Sequence, residues 1–377
     1  MANKVLIAGF HAFYFRGCAE GTRSFFGREK WKRVLRVQAL KDVFSLLMLL
    51  ALSGCQQHLE KYEFIRPEMG TVFQVVLYAP DASIATQAAD ALYARAHELN
   101  GLLSDYDPES EISRLSRLTD SGPMPAPIAV GPDLWRILEK AVEASRVSNG
   151  AFDITIGPCV KLWRRSHSMG ELPNPERLAE ARKSVGWEAI KLFPETHSVQ
   201  LLKSKMRLDV GGIAKGYTAM EMVRLLRERH LPRCMAGAAG DIAVGDPPPG
   251  KSHWRLAVQA LEHPDKTAGY VELRNASIST SGDTERYIII AGQRYSHIID
   301  PRTGLGLTRR IGATVIATDG TTADSMSKPL SVLGPEEGMR LIESTPGTAA
   351  RVVTIEGDHP TVYESKRWHE FQVRSTP

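Results

Sequence analysis

Leu208-Asp-Val-Gly-Gly-Ile-Ala-Lys-Gly216 is the stretch that decides how this chain is built. Met206 to Val210 has the apolar spacing of a short buried strand, and Gly211-Gly212 then opens a helix running to about Arg229. Glycines at such a turn let backbone amides approach an anion closely; the helix N-terminus adds partial positive charge, and Lys215 adds a full one. A pyrophosphate suits this turn. The spacing matches neither the Rossmann nor the P-loop fingerprint, and a plain structural Gly-Gly turn fits the same letters.

Outward from this turn, helices alternate with many short strands. Thr71 to Tyr78 reads as a strand, and Ile84 to Leu103 as a helix with Ala88, Leu92 and Leu99 on one side. Asp133 is expected to cap a helix over Leu134 to Val147, and Asn174-Pro175 to begin another. Further strands are expected around Arg255 to Val258, Ser277 to Thr280, Tyr287 to Ile290, Ser296 to Ile299 and Ala313 to Ala317, then a helix from Thr322 to Leu333. The whole predicts one mixed α/β (α+β) domain over residues 67–356, with hairpins late in the chain and a C-terminal tail over 357–377.

Upstream the pattern changes. Val43 to Leu52 is an apolar run of about ten residues, too short for the roughly 20 that span a bilayer, flanked by Lys32, Arg33, Arg36 and Lys41. Leu52-Ser53-Gly54-Cys55 follows and resembles a bacterial lipobox. Residues 33–54 are therefore expected to be a cleaved lipoprotein signal peptide, residues 1–32 an N-terminal extension of uncertain role, and 55–66 a polar tether. Lipidation of Cys55 would anchor the protein on the extracytoplasmic face of a bacterial membrane. The first 41 residues carry nine basic side chains against two acidic ones, the remainder is near neutral, and no basic face interleaved with aromatics persists downstream, which argues against nucleic-acid binding. The four cysteines have no metal-type spacing; Cys159 and Cys234 are read as free buried thiols.

Three other segments can carry chemistry. In Ser296-His-Ile-Ile-Asp-Pro-Arg-Thr-Gly304, His297 is the side chain able to exchange a proton near neutral pH. Asp324, behind Thr321-Thr322-Ala323, is either an acid in the first turns of a helix or a hard-cation ligand. Gly150-Ala-Phe-Asp-Ile-Thr-Ile-Gly-Pro158 sets an aromatic beside a carboxylate, with Phe152 either stacked on a ring or in the core.

In this order, and together with Met69-Gly-Thr71, Tyr106, Ser110-Glu-Ile-Ser-Arg114, Ala239-Gly-Asp-Ile242 and Thr280-Ser-Gly282, these segments resemble the ApbE family of flavin transferases, the FAD:protein FMN transferases. The resemblance extends from Met69 to about Gly334. It implies that FAD, as substrate, is lined by Met69, Tyr106, Ala151, Phe152, Asp153, Asp209, Lys215 and Ile299. It further implies a Mg²⁺ held by backbone oxygen near Gly212, the carboxylate of Asp324 and a hydroxyl four residues on. Transfer of FMN to a Thr or Ser hydroxyl of exported respiratory or electron-transfer proteins would then use His297, Asp324 and Lys215. Where the family usually has that threonine, this chain has Lys328, and a protonated lysine has no lone pair for a metal. Its ammonium replaces part of the cation, Ser327 shifts into the role, or the site binds Mg²⁺ weakly. Two other activities share these motifs: an FAD pyrophosphatase releasing FMN and AMP, and a non-catalytic flavin-binding lipoprotein.

Overall fold

The computed structural model describes residues 58–261, 267–282, 287–357 and 359–372. The expected extension, signal peptide and Cys55 lie outside them. Eight strands form the main sheet: Glu60–Glu68 (β1), Thr71–Ala79 (β2), Cys234–Ala238 (β3), Asp241–Val244 (β4), Ala276–Gly282 (β5), Arg310–Ala317 (β6), Ala349–Glu356 (β7) and His359–Glu364 (β8). They lie side by side in chain order, each antiparallel to the next. The helices are Ala82–Leu103 (α1), Glu111–Arg117 (α2), Pro132–Val147 (α3), Gly157–Met169 (α4), Pro175–Lys183 (α5), Ala214–Glu228 (α6), Gly320–Leu333 (α7) and Pro335–Ser344 (α8).

Strand alternation assigns the two faces of the sheet. Phe73, Val75 and Leu77 of β2 point to one side, where Leu92 and Ala96 of α1 and Met222 and Leu226 of α6 cover them. Val76, Val244, Ile278 and Ile316 point to the other, against Trp254, Val258 and Val271 of a separate hairpin and against Trp368. The mixed fold class expected from the sequence is thus realised as a helix layer on an antiparallel meander.

Several local expectations are corrected. Hairpins occur early as well as late: residues 60–66 of the expected tether belong to β1, whose Tyr62 and Phe64 pack towards α1, and Glu68 pairs with Thr71 across a two-residue turn. Met69 and Gly70 there have φ of 51° and 69°, the positive values that a type I′ turn demands at both positions. The expected C-terminal tail supplies β8 and then buries Trp368 at 1% exposure. Met206 to Val210 is buried but is not a strand; within it Arg207 makes a single bridge, to Ile156. Asp133 does not cap α3, since Gly131 does and Pro132 occupies the first turn. The strand expected over Ser296 to Ile299 is two pieces, Gln293–Ser296 and Ile299–Asp300, with the chain bending at His297 and Ile298.

One contact fixes the relation of α6 to α7. A Cβ on Gly216 would lie 2.1 Å from the Gly320 carbonyl oxygen, and a Cβ on Gly320 would lie 2.2 Å from that of Gly216. The two helices therefore meet backbone to backbone, which only glycine permits.

Candidate functional site

Above that crossing opens a cleft of about 1120 Å³, at the upper end of the size of small-molecule sites. The turns that build it come from distant parts of the chain. Met69-Gly70 ends the first hairpin, and Ala239-Gly240 joins β3 to β4 with φ of 50° and 99°. Met69, Tyr106, Ala151, Phe152, Asp153, Asp209, Gly212, Lys215, His297, Ile299 and Lys328 all line the cleft. Asp324 lies under its floor at 0% exposure.

The Gly-Gly turn is shaped by its own acid. Asp209 accepts the Gly211 N–H through Oδ1 at 2.9 Å and a guanidinium N–H of Arg164 through Oδ2 at 3.2 Å. Arg164, on α4, also donates to Asp105 at 2.6 Å and lies over the Tyr106 ring, 3.8 Å from its centroid. Desolvation and the nearby charge of Asp105 push the Asp209 carboxyl above its usual range against these donors. Phe152 packs on the turn, since a Cβ on Gly212 would come 3.2 Å from its ring.

Beneath the turn runs a closed ring of polar side chains. Lys215 Nζ lies 2.9 Å from Asp241 Oδ2 and 3.9 Å from Asp324 Oδ2. Lys328 Nζ donates to Asp324 Oδ1 and, at 3.1 Å, to Ser327 Oγ. Ser279 Oγ closes the circuit, 2.5 Å from Asp241 Oδ1 and 3.4 Å from Ser327 Oγ. Asp324 Oδ2 also accepts the Gly216 N–H at 3.0 Å, a contact made possible by the glycine crossing. Burial alone would push the Asp324 carboxyl up, but the two ammoniums and these hydrogen bonds hold it below its ordinary value.

A family model described as the ApbE family matches residues 69–352 of the chain. The chain belongs to the ApbE family. Among ApbE relatives, the FAD:protein FMN transferase of Haemophilus influenzae is 29% identical over 318 residues, covering 81% of this chain and 90% of that protein. The FAD:protein FMN transferase of Treponema pallidum is 29% identical over 321 residues, covering 80% and 88%. Among solved structures, the apo flavinyl transferase ApbE of Pseudomonas stutzeri superposes with a TM-score of 0.73 at 28% identity, covering 84% of this chain and 98% of that one. The ApbE protein of Thermotoga maritima gives 0.74 at 25% identity, covering 84% and 100%.

Not every expected ApbE site residue offers the group expected of it. Asp153 lines the cleft, but Oδ1 accepts the N–H and Oγ–H of Thr155 and Oδ2 accepts the Trp187 N–H at 3.1 Å, so its carboxylate holds the 150s turn. Burial raises its carboxyl above the usual value. Lys215 faces its two acids and also donates to the Gly211 carbonyl at 3.3 Å. His297 is exposed and lines the cleft. The metal set implied by the ApbE resemblance does not fit: Lys328 brings an ammonium, which has no lone pair, against Asp324 Oδ1, and Oδ2 accepts the Gly216 N–H and faces Lys215, so a divalent cation at Asp324 would stand against two ammoniums. Among the described residues, no cluster of three or more His, Cys, Asp or Glu forms a metal cage elsewhere.

Sequence reasoning passed over Asp241, Ser279 and Arg164 as site residues. The first two stand in or beside the quoted ApbE motifs and were legible there. Arg164 carries no signal, since a basic residue on an amphipathic helix reads as a solvated face.

Proposed function

We propose that this ApbE chain transfers the FMN moiety of FAD to a threonine or serine hydroxyl of a protein acceptor, releasing AMP. The observation that carries this reading is the convergence of residues 69, 106, 151–153, 209–215, 297–299 and 328 on one cleft, with two ammoniums at its floor. A diphosphate needs positive charge and alignment more than covalent help. The 211–215 turn and the two lysines supply the charge, and the exposed Tyr106 ring offers a face for an aromatic ring of FAD, while Phe152 sits in the core and supports the turn.

In the transfer, the acceptor oxygen attacks the FMN-side phosphorus and forms a phosphoester. The bond from that phosphorus to the bridging oxygen breaks, and AMP leaves with the electron pair. The hydroxyl proton passes to the imidazole of His297, because Asp241 and Asp324 are buried and engaged with lysines. No step runs through Mg²⁺, because the ammonium of Lys328 stands against Asp324 where the cation would bind. The test is incubation with FAD and a peptide carrying an acceptor threonine. Covalent FMN on the peptide with equimolar AMP is expected; free FMN and AMP without adduct would replace transfer by hydrolysis, and unchanged FAD would overturn both.

We infer further that the protein is exported and anchored through Cys55 on the extracytoplasmic face, and that its acceptors are exported proteins of respiratory or electron-transfer type. The apolar run Val43 to Leu52 and the residues around Cys55 support this. Cys55→Ala should lose incorporated fatty acid and move to the soluble fraction; retention in the membrane with lipid attached would refute it.

A further inference from the structure

The charges of the ring beneath the cleft add to zero. Two carboxylates, Asp241 and Asp324, face two ammoniums, Lys215 and Lys328, and the hydroxyls of Ser279 and Ser327 complete the circuit. Both acids are buried, at 3% and 0% exposure, while the two lysine side chains keep 22% and 20% and line the cleft. With a neutral hydroxyl residue at position 328, the same ring would carry one net negative charge and an uncovered Asp324 Oδ1, which together attract a hard divalent cation. Lys328 removes both attractions. Its ammonium spends two of three N–H donors on Asp324 and Ser327 and stands at the cleft floor with the third.

We propose that Lys328 is a built-in cation: in this chain the ammoniums of Lys215 and Lys328, in place of a divalent metal, neutralise the diphosphate of FAD, so that binding and transfer are independent of added metal. The inference rests on the transferase reading for its activity arm only. Ser327 does not shift into a ligand role, because its hydroxyl donates to the Asp324 carbonyl at 2.8 Å and accepts from Lys328. The attraction is of the kind that places lysine and arginine side chains on phosphates at anion sites elsewhere.

The experiment uses wild type and Lys328→Thr, measuring flavin fluorescence on binding FAD, Mn²⁺ uptake by paramagnetic resonance and AMP release. Wild type should bind FAD equally in excess EDTA and in Mg²⁺, take up no stoichiometric Mn²⁺, and release AMP at rates that differ by less than about threefold between the two conditions. Lys328→Thr should bind one Mn²⁺ per chain, lose FAD affinity at least about tenfold in EDTA and recover it with Mg²⁺. One Mn²⁺ held per wild-type chain, or wild-type FAD binding that requires Mg²⁺, would overturn the proposal, and so would a folded threonine variant as metal-independent as wild type. If Lys328→Thr does not fold, the wild-type arms decide alone. If neither protein releases AMP under any condition, the transferase reading fails while the Mn²⁺ and FAD-binding arms still judge the role of Lys328.

Discussion

Helix α6 carries one buried charge cluster near its start and another at its middle, and the two are built from different cations. Near its start, Lys215 joins Lys328 over Asp241 and Asp324. Further along, Glu221 at 2% exposure meets Arg224 at 3.0 Å, Arg95 at 3.6 Å and Arg136 at 3.7 Å. Asp133 extends that cluster by accepting from Arg95 at 2.5 Å and from the Tyr217 hydroxyl at 2.6 Å. Guanidinium forks reach several acceptors at fixed angles, and here they tie α1, α3 and α6 into one layer. Lysine offers a compact charge on a flexible stem that can turn from a protein acid to a ligand oxygen. The arginine cluster holds helices together; the lysine cluster faces a cleft.

That contrast can be broken in order of expected effect. Glu221→Ala removes the buried acid shared by three guanidiniums, of which Arg95 keeps Asp133 and Glu98 and Arg224 keeps Glu228, and should lower the unfolding free energy by about 1–3 kcal/mol in urea melts, while FAD affinity of the folded protein stays within about threefold. Collapse of FAD binding with unchanged stability would erase the distinction. Asp324→Ala, at the other cluster, should reduce AMP release on the order of a hundredfold or more, and an active variant would remove Asp324 from the site.

Two buried thiols, Cys234 on β3 and Cys159 on α4, sharpen the comparison. Burial pushes the thiol of Cys234 up to about 12 and that of Cys159 up to about 11. A folded-state value above the unfolded one means that stability is fully present below about pH 8.5 and is lost as the pH rises towards those values, by about 1.4 kcal/mol per pH unit for each thiol. Cys234→Ala should flatten part of that alkaline loss, and neither thiol should react with a thiol reagent at pH 8 until the chain unfolds. The smallest effect concerns Ala239, held at φ 50° in the turn before Asp241. Ala239→Gly should stabilise by about 1 kcal/mol with unchanged transfer; a changed rate would show that the strained turn helps to set the position of Asp241.

How legible all this is depends on where the physical reason lies. The α6 and α7 helices, the 211–216 turn and the exception at 328 could be read because their letters carry glycine, charge and spacing locally. Tyr62 and Phe64 alternate correctly for a strand, yet the surrounding Glu and Lys residues made that stretch look like a tether. Only pairing with β2 gives those charges a solvent face to occupy. Met206 to Val210 has strand-like letters but only a single bridge, Arg207 to Ile156, so tertiary burial produced the apolar pattern without a ladder. The arginine cluster was invisible because Arg95, Arg136 and Glu221 lie on separate helices and mean nothing singly. Asp133, read as a cap, is one of its members.

The backbone contact of Gly216 with Gly320 has a consequence for how such sites diversify. Since neither helix leans on a side chain there, the distance between α6 and α7 is independent of what hangs at position 328, and the acid at 324 stays at the same depth whatever its partner. Lysine and threonine codons differ by a single nucleotide. On the role proposed for Lys328, such a change would exchange an ion drawn from the surroundings for one encoded in the gene, in one mutational step and on an unaltered frame.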